Sequence, residues 1–151
     1  MFLAMLLLAA CSEGRKDPCR LLSVEDVQTV DETVAVAIWA GRDGDRKDDE
    51  VCVFHNADGD ARLMLFVWYD RESDPEALVT EGVGAQQSNI AELPGFGSSA
   101  VASFKDNELK LLAVKSSLGV VGIRVRKPVA RNSDELNELA RLAEMALSKN
   151  H

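Results

Sequence analysis

Five side chains in this sequence carry chemistry that few others can replace: the thiols of Cys11, Cys19 and Cys52 and the imidazoles of His55 and His151. A thiol can be acylated, can pair as a disulfide, or can act as a nucleophile beside a base. Cys52-Val53-Phe54-His55 sets a base three residues from a thiol. On a strand those two positions point to opposite faces, so the spacing argues against a Cys–His couple. Two histidines exclude a histidine-rich metal site, and any histidine-based triad would have to use His55. No Gly-x-Ser-x-Gly elbow occurs. Gly95-Phe96-Gly97 lacks both the full dinucleotide fingerprint and a strand before it, and reads as a turn.

Two acidic turns, Asp43-Gly44-Asp45 and Asp58-Gly59-Asp60, raise the question of calcium. Neither fits an EF-hand loop. Counted from Asp43, the fifth, sixth and twelfth positions are Lys47, Asp48 and Phe54; counted from Asn56, the sixth and twelfth are Ala61 and Val67. Each mismatch removes an oxygen ligand or the required glycine turn, and hairpin turns account for both segments. Carboxylates are common on the turns, but none stands in an apolar setting that would raise its pKa for acid catalysis. No catalytic residue, metal or cofactor is therefore predicted.

Cys11 is different, because of what precedes it. Phe2 to Ala10 is an unbroken apolar run ending in Leu8-Ala9-Ala10-Cys11. The run is too short for a transmembrane helix, which needs about 20 residues. It has the length of a secretory h-region closed by small residues. The four residues resemble a bacterial lipobox, which implies cleavage before Cys11 and a diacylglycerol on its sulfur. No Lys or Arg precedes the run; a start upstream of Met1 would explain that departure. The competing reading, a buried N-terminal helix, lacks the polar face such a helix carries. The expected organisation is a signal peptide at 1–10, a lipidated tether at 11–18 and one domain at 19–151. The domain would face the periplasm or exterior, and Ser12 after the cysteine favours the outer membrane if the cell is Gram-negative.

Export also bears on the other two thiols. Cys19 and Cys52 are the pair left once Cys11 is lipidated, and an oxidising compartment favours their disulfide. The alternative is a reactive thiol. The chain carries 25 acidic against 17 basic residues, a formal charge of −8. Such a chain repels phosphate backbones, so nucleic acid is not an expected partner. Its hydrophobic share, 46%, suffices for a core.

The elements that must position these residues follow from periodicity and caps. Leu21–Val30 reads as a helix, with Ser23 and Asp26 as a capping box. Strands are expected at Thr33–Ala40, Val51–His55 and Ala61–Asp70, the first with Val34, Val36 and Ile38 on one face and Ala35, Ala37 and Trp39 on the other. Asp74-Pro75-Glu76 starts a short helix. Gln86–Gly97 reads as a loop. Three more strands follow near Ser99–Lys105, Leu109–Lys115 and Val120–Arg126, with Asp106-Asn107 and Ser116–Gly119 as turns. A last helix, capped by Asn132 with Glu135 at the capping-box position, carries an apolar stripe of Leu136, Leu139, Ala140, Ala143, Ala146 and Leu147. Strands joined by short turns predict an α+β fold: an antiparallel sheet of five to six strands with an N-terminal, a short middle and a long C-terminal helix.

Asp17-Pro18-Cys19-Arg20-Leu21-Leu22, the strand opened by Cys52, the Leu93-Pro94-Gly95-Phe96-Gly97 loop leading to Ala100, and the terminal Glu138-Leu139-Ala140 helix together form a pattern. It resembles the small cysteine-paired bacterial envelope lipoproteins best known in actinobacteria. The resemblance covers most of the mature chain. It implies a PsbP-like sandwich, an antiparallel sheet flanked by helices, and it implies no activity. Trp39, Phe66 and Trp68 are the remaining candidates. They could line a groove for an apolar or sugar ligand, or simply form a sheet face covered by helices. The expected function is a non-catalytic binding or assembly module, held to the bilayer through Cys11 and meeting an envelope protein. The alternative is a carrier of a small ligand or lipid, using a pocket between sheet and helices, and an exported hydrolase ranks last.

Overall fold

A computed structural model describes residues 17–41, 49–68, 74–81, 89–116 and 119–149. Cys11, His151, Tyr69 and the Asp43-Gly44-Asp45 turn lie outside the described residues. The chain enters with a 3₁₀ turn, Pro18–Arg20, and then α1, Val24–Gln28. Three strands follow: β1 Val34–Gly41, β2 Asp49–Asn56 and β3 Ala61–Trp68. Helix α2, Pro75–Glu81, leads to β4 Ile90–Leu93, β5 Gly97–Lys105, β6 Glu108–Ser116 and β7 Gly119–Val125. Helix α3, Asp134–Ser148, completes the fold.

The strands form one antiparallel sheet in the order β1-β2-β3-β7-β6-β5-β4. It is two meanders, β1–β3 and β4–β7, joined by pairing β3 with β7. The turns explain why each meander folds back. Asn56 Oδ1 accepts from the amides of Asp58 (3.1 Å) and Asp60 (2.8 Å), and Gly59 takes a φ of +86°. Asp106 and Asn107 both adopt positive φ, 53° and 65°, as a two-residue hairpin turn matched to strand twist demands.

The sheet is covered on both faces. One face carries Cys52, Phe54, Leu63, Leu65, Leu112 and Ile123, packed under the 3₁₀ turn, α1 and α3. The other carries Val51, Phe66, Trp68, Val101, Leu111 and Val120, with Leu78 and Val79 of α2. Alternation along β3 places Leu63, Leu65 and Val67 on the first face and Met64, Phe66 and Trp68 on the second, as its sequence predicts. Each such buried side chain contributes about 1.5–3 kcal/mol.

The fold class is α+β as expected, but the sheet has seven strands rather than five to six. The extra strand is β4, inside the segment read as a loop. Four residues are too few to show a period, and Ile90–Leu93 pairs only with β5, at the sheet edge. The first helix is shorter than Leu21–Val30: it begins only after the Ser23 cap and ends at Gln28, while Leu21 closes the preceding 3₁₀ turn, which Asp17 Oδ1 caps through the Cys19 amide (2.9 Å). The capping box itself stands: the Asp26 amide donates to Ser23 Oγ (3.0 Å) and the Ser23 amide to Asp26 Oδ2 (2.8 Å). Helix α3 starts one residue later than predicted, with Ser133 and not Asn132 at the cap. With the cap at Ser133, Leu136 takes the N3 position and no capping box can close; the Ser133 hydroxyl donates back to the Ala130 carbonyl (2.8 Å) and Glu135 pairs with Lys127 (2.8 Å). All six residues of its predicted stripe are buried, with Leu142 beside them.

Strand β1 also departs from simple alternation. Its register slips between Val34 and Val36 and again between Trp39 and Gly41. The first slip leaves Val34 in the core face with Ala37, while Val36 and Ile38 turn to the opposite side. One inserted residue is enough to break a period of two.

Candidate interaction surface at the β1 edge

Cys19 and Cys52 form a disulfide with a Cα–Cα distance of 5.1 Å. It ties the 3₁₀ turn to β2, so the chain's entry is fixed to the sheet one strand from its edge. Both thiols are consumed, and the reactive-thiol alternative falls. His55 stands on the other face, opposite Val36, with Nδ1 3.1 Å from the Gly59 carbonyl. The Cys52–His55 couple is therefore absent for the reason its spacing suggested.

The three aromatic candidates are divided between two faces. Phe66 and Trp68 share the α2 face and stack with centroids 5.8 Å apart. The Arg124 guanidinium lies 5.8 Å above the Phe66 ring. The Trp68 indole lies across Gly122, where any added Cβ would strike the ring. Trp39 pairs with Cys52, and Cys52 with Leu65, which puts Trp39 on the opposite face. The three therefore do not line one groove: Phe66 and Trp68 belong to a covered sheet face, the other reading of these residues, and Trp39 lies at the surface.

Trp39 instead belongs to an exposed apolar edge. Among the described strands β1 is paired on one side only. Its eight residues, Val-Ala-Val-Ala-Ile-Trp-Ala-Gly, include no charge. Val36 is 43% exposed, Ile38 51% and Trp39 53%. The Trp39 indole N–H donates to Glu50 Oε2 (2.8 Å), a carboxylate only 3% exposed. That bond holds the ring against the sheet while leaving its apolar body outward. The start of the strand is held by Gln28 Nε2, which donates to the Val34 carbonyl (2.8 Å). Sequence reasoning singled out Trp39 but missed Val36 and Ile38 as its exposed companions. The lack of any charge from Val34 to Gly41 was the available signal.

Other candidate chemistry is accounted for locally. A cleft between the end of α1, β7 and α3, lined by Val30, Asp31, Val125, Lys127, Glu135 and Leu139, admits about one water. A drug-sized ligand needs about 300 Å³ or more. Its rim is closed by Lys127–Glu135 (2.8 Å), and Asp31 pairs with Arg62 (2.9 Å). Burial works against the Asp31 carboxylate, but hydrogen bonds from Thr33 and Arg62 prevail and hold its pKa below the usual range. The Ser23 amide, with Lys149 beside it, lowers Asp26 likewise. Both shifts suit structural anions rather than general acids. Among the described residues no three of His, Cys, Asp and Glu gather as metal ligands. The Asp58-Gly59-Asp60 turn is organised by Asn56. Gly95, at φ +84°, sits in the turn between β4 and β5, and the Phe96 amide donates to the Leu93 carbonyl (3.3 Å). No described helix is long and apolar enough to cross a membrane. No family model matches the chain, and neither a curated protein nor a solved structure matches it.

Proposed function

We propose that this chain is a bacterial envelope lipoprotein, acylated at Cys11, whose domain works by binding rather than by catalysis. The observation that carries the reading is the β1 edge: three exposed apolar side chains on an uncharged strand, beside the point where the chain from Cys11 enters the fold. From Cys11 to Asp17 is six residues, a reach of at most about 20 Å. A partner must then lie at the membrane or next to it. Confinement of that kind raises effective concentration, so weak contacts suffice. An exposed apolar surface of this kind suits recognition. The carrier reading calls for a pocket between sheet and helices, and the cleft beside α3 admits about one water.

Replacing Cys11 with Ala tests the proposal in cells. The variant should leave the detergent phase for the aqueous phase, and it should fail to complement a deletion although it folds. Retention in the detergent phase would place the anchor elsewhere. Full complementation by the soluble form would make anchoring irrelevant and favour a diffusible carrier or enzyme.

A further inference from the structure

We infer that the β1 edge is a membrane-contact surface, on which the domain lies against the bilayer interface with Val36, Ile38 and Trp39 among the lipid headgroups. The inference rests on the anchored reading above and names what the exposed edge touches. The first argument is position. The Cys19–Cys52 bridge spans 5.1 Å between Cα atoms, and Trp39 is paired directly with Cys52. Directly paired residues are about 5 Å apart, so Trp39 lies within about 11 Å of Cys19. The tether therefore enters the domain beside the apolar edge, and a chain leash of six residues from Cys11 to Asp17 keeps that edge near the membrane. The opposite edge, β4, is six strands away, about 29 Å at the spacing of paired strands.

The second argument is shape. An open edge invites another strand, and natural proteins blunt such edges with bulges. β1 carries a register slip near each end, and only Val36–Trp39 pair with β2 in unbroken register. Four regular residues give an added strand little ladder to bind. The exposed side chains also project to both sides of the strand, Trp39 to one face and Val36 and Ile38 to the other. They form a ridge. A ridge needs a medium that yields around it, and a bilayer interface does so. Tryptophan suits that zone, and here the indole N–H is already bonded to Glu50, so the apolar body of the ring can meet the interface without an unpaired donor. The open N–H and C=O groups of β1 limit the depth: they can be satisfied by water and headgroups, not by hydrocarbon.

Tryptophan fluorescence can test this on the lipidated full chain in phosphatidylcholine vesicles, with acyl chains brominated near the headgroup in one set. Trp68 is buried, so the difference between wild type and Trp39→Phe reports Trp39. Should Trp39→Phe not fold, Trp68→Phe leaves Trp39 as the single tryptophan and gives the same reading. The expected result is that the protein co-floats with vesicles, that brominated lipid quenches Trp39, and that Trp39 loses most of the iodide quenching it shows without lipid. A Glu92→Trp probe on β4, in the Trp39→Phe background, should keep its iodide quenching. Co-flotation with Trp39 still open to iodide would overturn the inference and leave the anchor standing. Shielding from iodide without quenching by brominated lipid would overturn it in favour of a protein strand or second copy on the edge. Equal shielding of the Glu92→Trp probe would overturn the orientation. Failure to co-float would remove the anchored reading, and this inference with it.

Discussion

At one edge of the sheet β4 offers four residues, Ile90–Leu93, of which Leu93 is buried, Ile90 and Ala91 are half-buried and Glu92 is an exposed charge. Helix α2 packs beside it. At the other edge β1 offers eight residues with no charge, and three large apolar side chains are exposed. Shortness, a charge and a neighbouring helix are standard protection against unwanted pairing. β1 has α1 and the 3₁₀ turn against one face, but it carries no charge, and along its open side it has only its two register slips. The same sheet thus hides one edge and presents the other. The disulfide fastens the entering chain to β2, one strand in from the presented edge. An exposed apolar edge is tolerable if it is held where something covers it.

The largest expected effect comes from releasing that fastening. Replacing both Cys19 and Cys52 with Ala opens a loop of sequence separation 33. The chain-entropy relation gives a loss of about 3–4 kcal/mol, to be read as a lower denaturant midpoint. Amide exchange should sharpen the comparison: β1 and β2 should lose protection, while β4 and β5 follow only global unfolding. Equal loss at both edges would mean that the bridge stabilises the whole sheet and does not single out β1.

A smaller effect is expected at the seam between the meanders. Gly122 of β7 lies under Trp68 of β3, with no room for a Cβ. Gly122→Ala should cost about 1–3 kcal/mol through overpacking and alter the Trp68 fluorescence. Because this seam serves both halves, protection should fall at both edges together, the opposite of the disulfide variant.

Acid should act on the β1 side more than the β4 side. The Asp26 and Asp31 pKa values are lowered in the folded protein, through the Ser23 amide and Lys149 for one and, against burial, through Thr33 and Arg62 for the other. A group with a lowered folded pKa adds stability that is present above its unfolded pKa, about 3.9, and is lost as pH falls through the folded value. Stability should therefore decline below pH of about 4, and Asp31→Asn should flatten that decline while lowering stability at neutral pH. Parallel acid curves for wild type and Asp31→Asn would remove Asp31 as a cause.

How far this was legible in sequence depends on whether a signal is local. The Asp106-Asn107 turn was readable because few pairs accept two positive φ angles, and the Ser23–Asp26 box because both partners lie within one turn. The stripe of α3 repeats often enough to be certain. β4 was missed because four residues carry no period and its strand character comes from pairing with β5. The slip in β1 was missed because a bulge is a property of two strands. It matters most for the site: strict alternation grouped Val34 with Val36 and Ile38, and pairing separates them. The Trp39, Phe66 and Trp68 grouping failed for a related reason. Composition brings aromatics together in a list, whereas pairing parity assigns each to a face.

The smallest expected change in stability belongs to a pair of edge variants, and it isolates surface chemistry from folding. Ile38→Lys gives β1 the charge that Glu92 gives β4, and Glu92→Val gives β4 the apolar character of β1. Both positions are exposed, so each change should move stability by no more than about 0.5 kcal/mol. Their surface effects should differ. A lysine at position 38 places a charge among the three exposed apolar groups and should weaken contact of the lipidated protein with neutral vesicles, seen as recovered iodide quenching of Trp39. Glu92→Val should leave that contact unchanged if, as proposed, the chain is anchored at Cys11 and so held to the bilayer by its β1 side. If instead Glu92→Val gains the same shielding and Ile38→Lys loses none, exposed apolar area anywhere on the sheet would be enough. The asymmetry between the two edges would then reflect folding history rather than use.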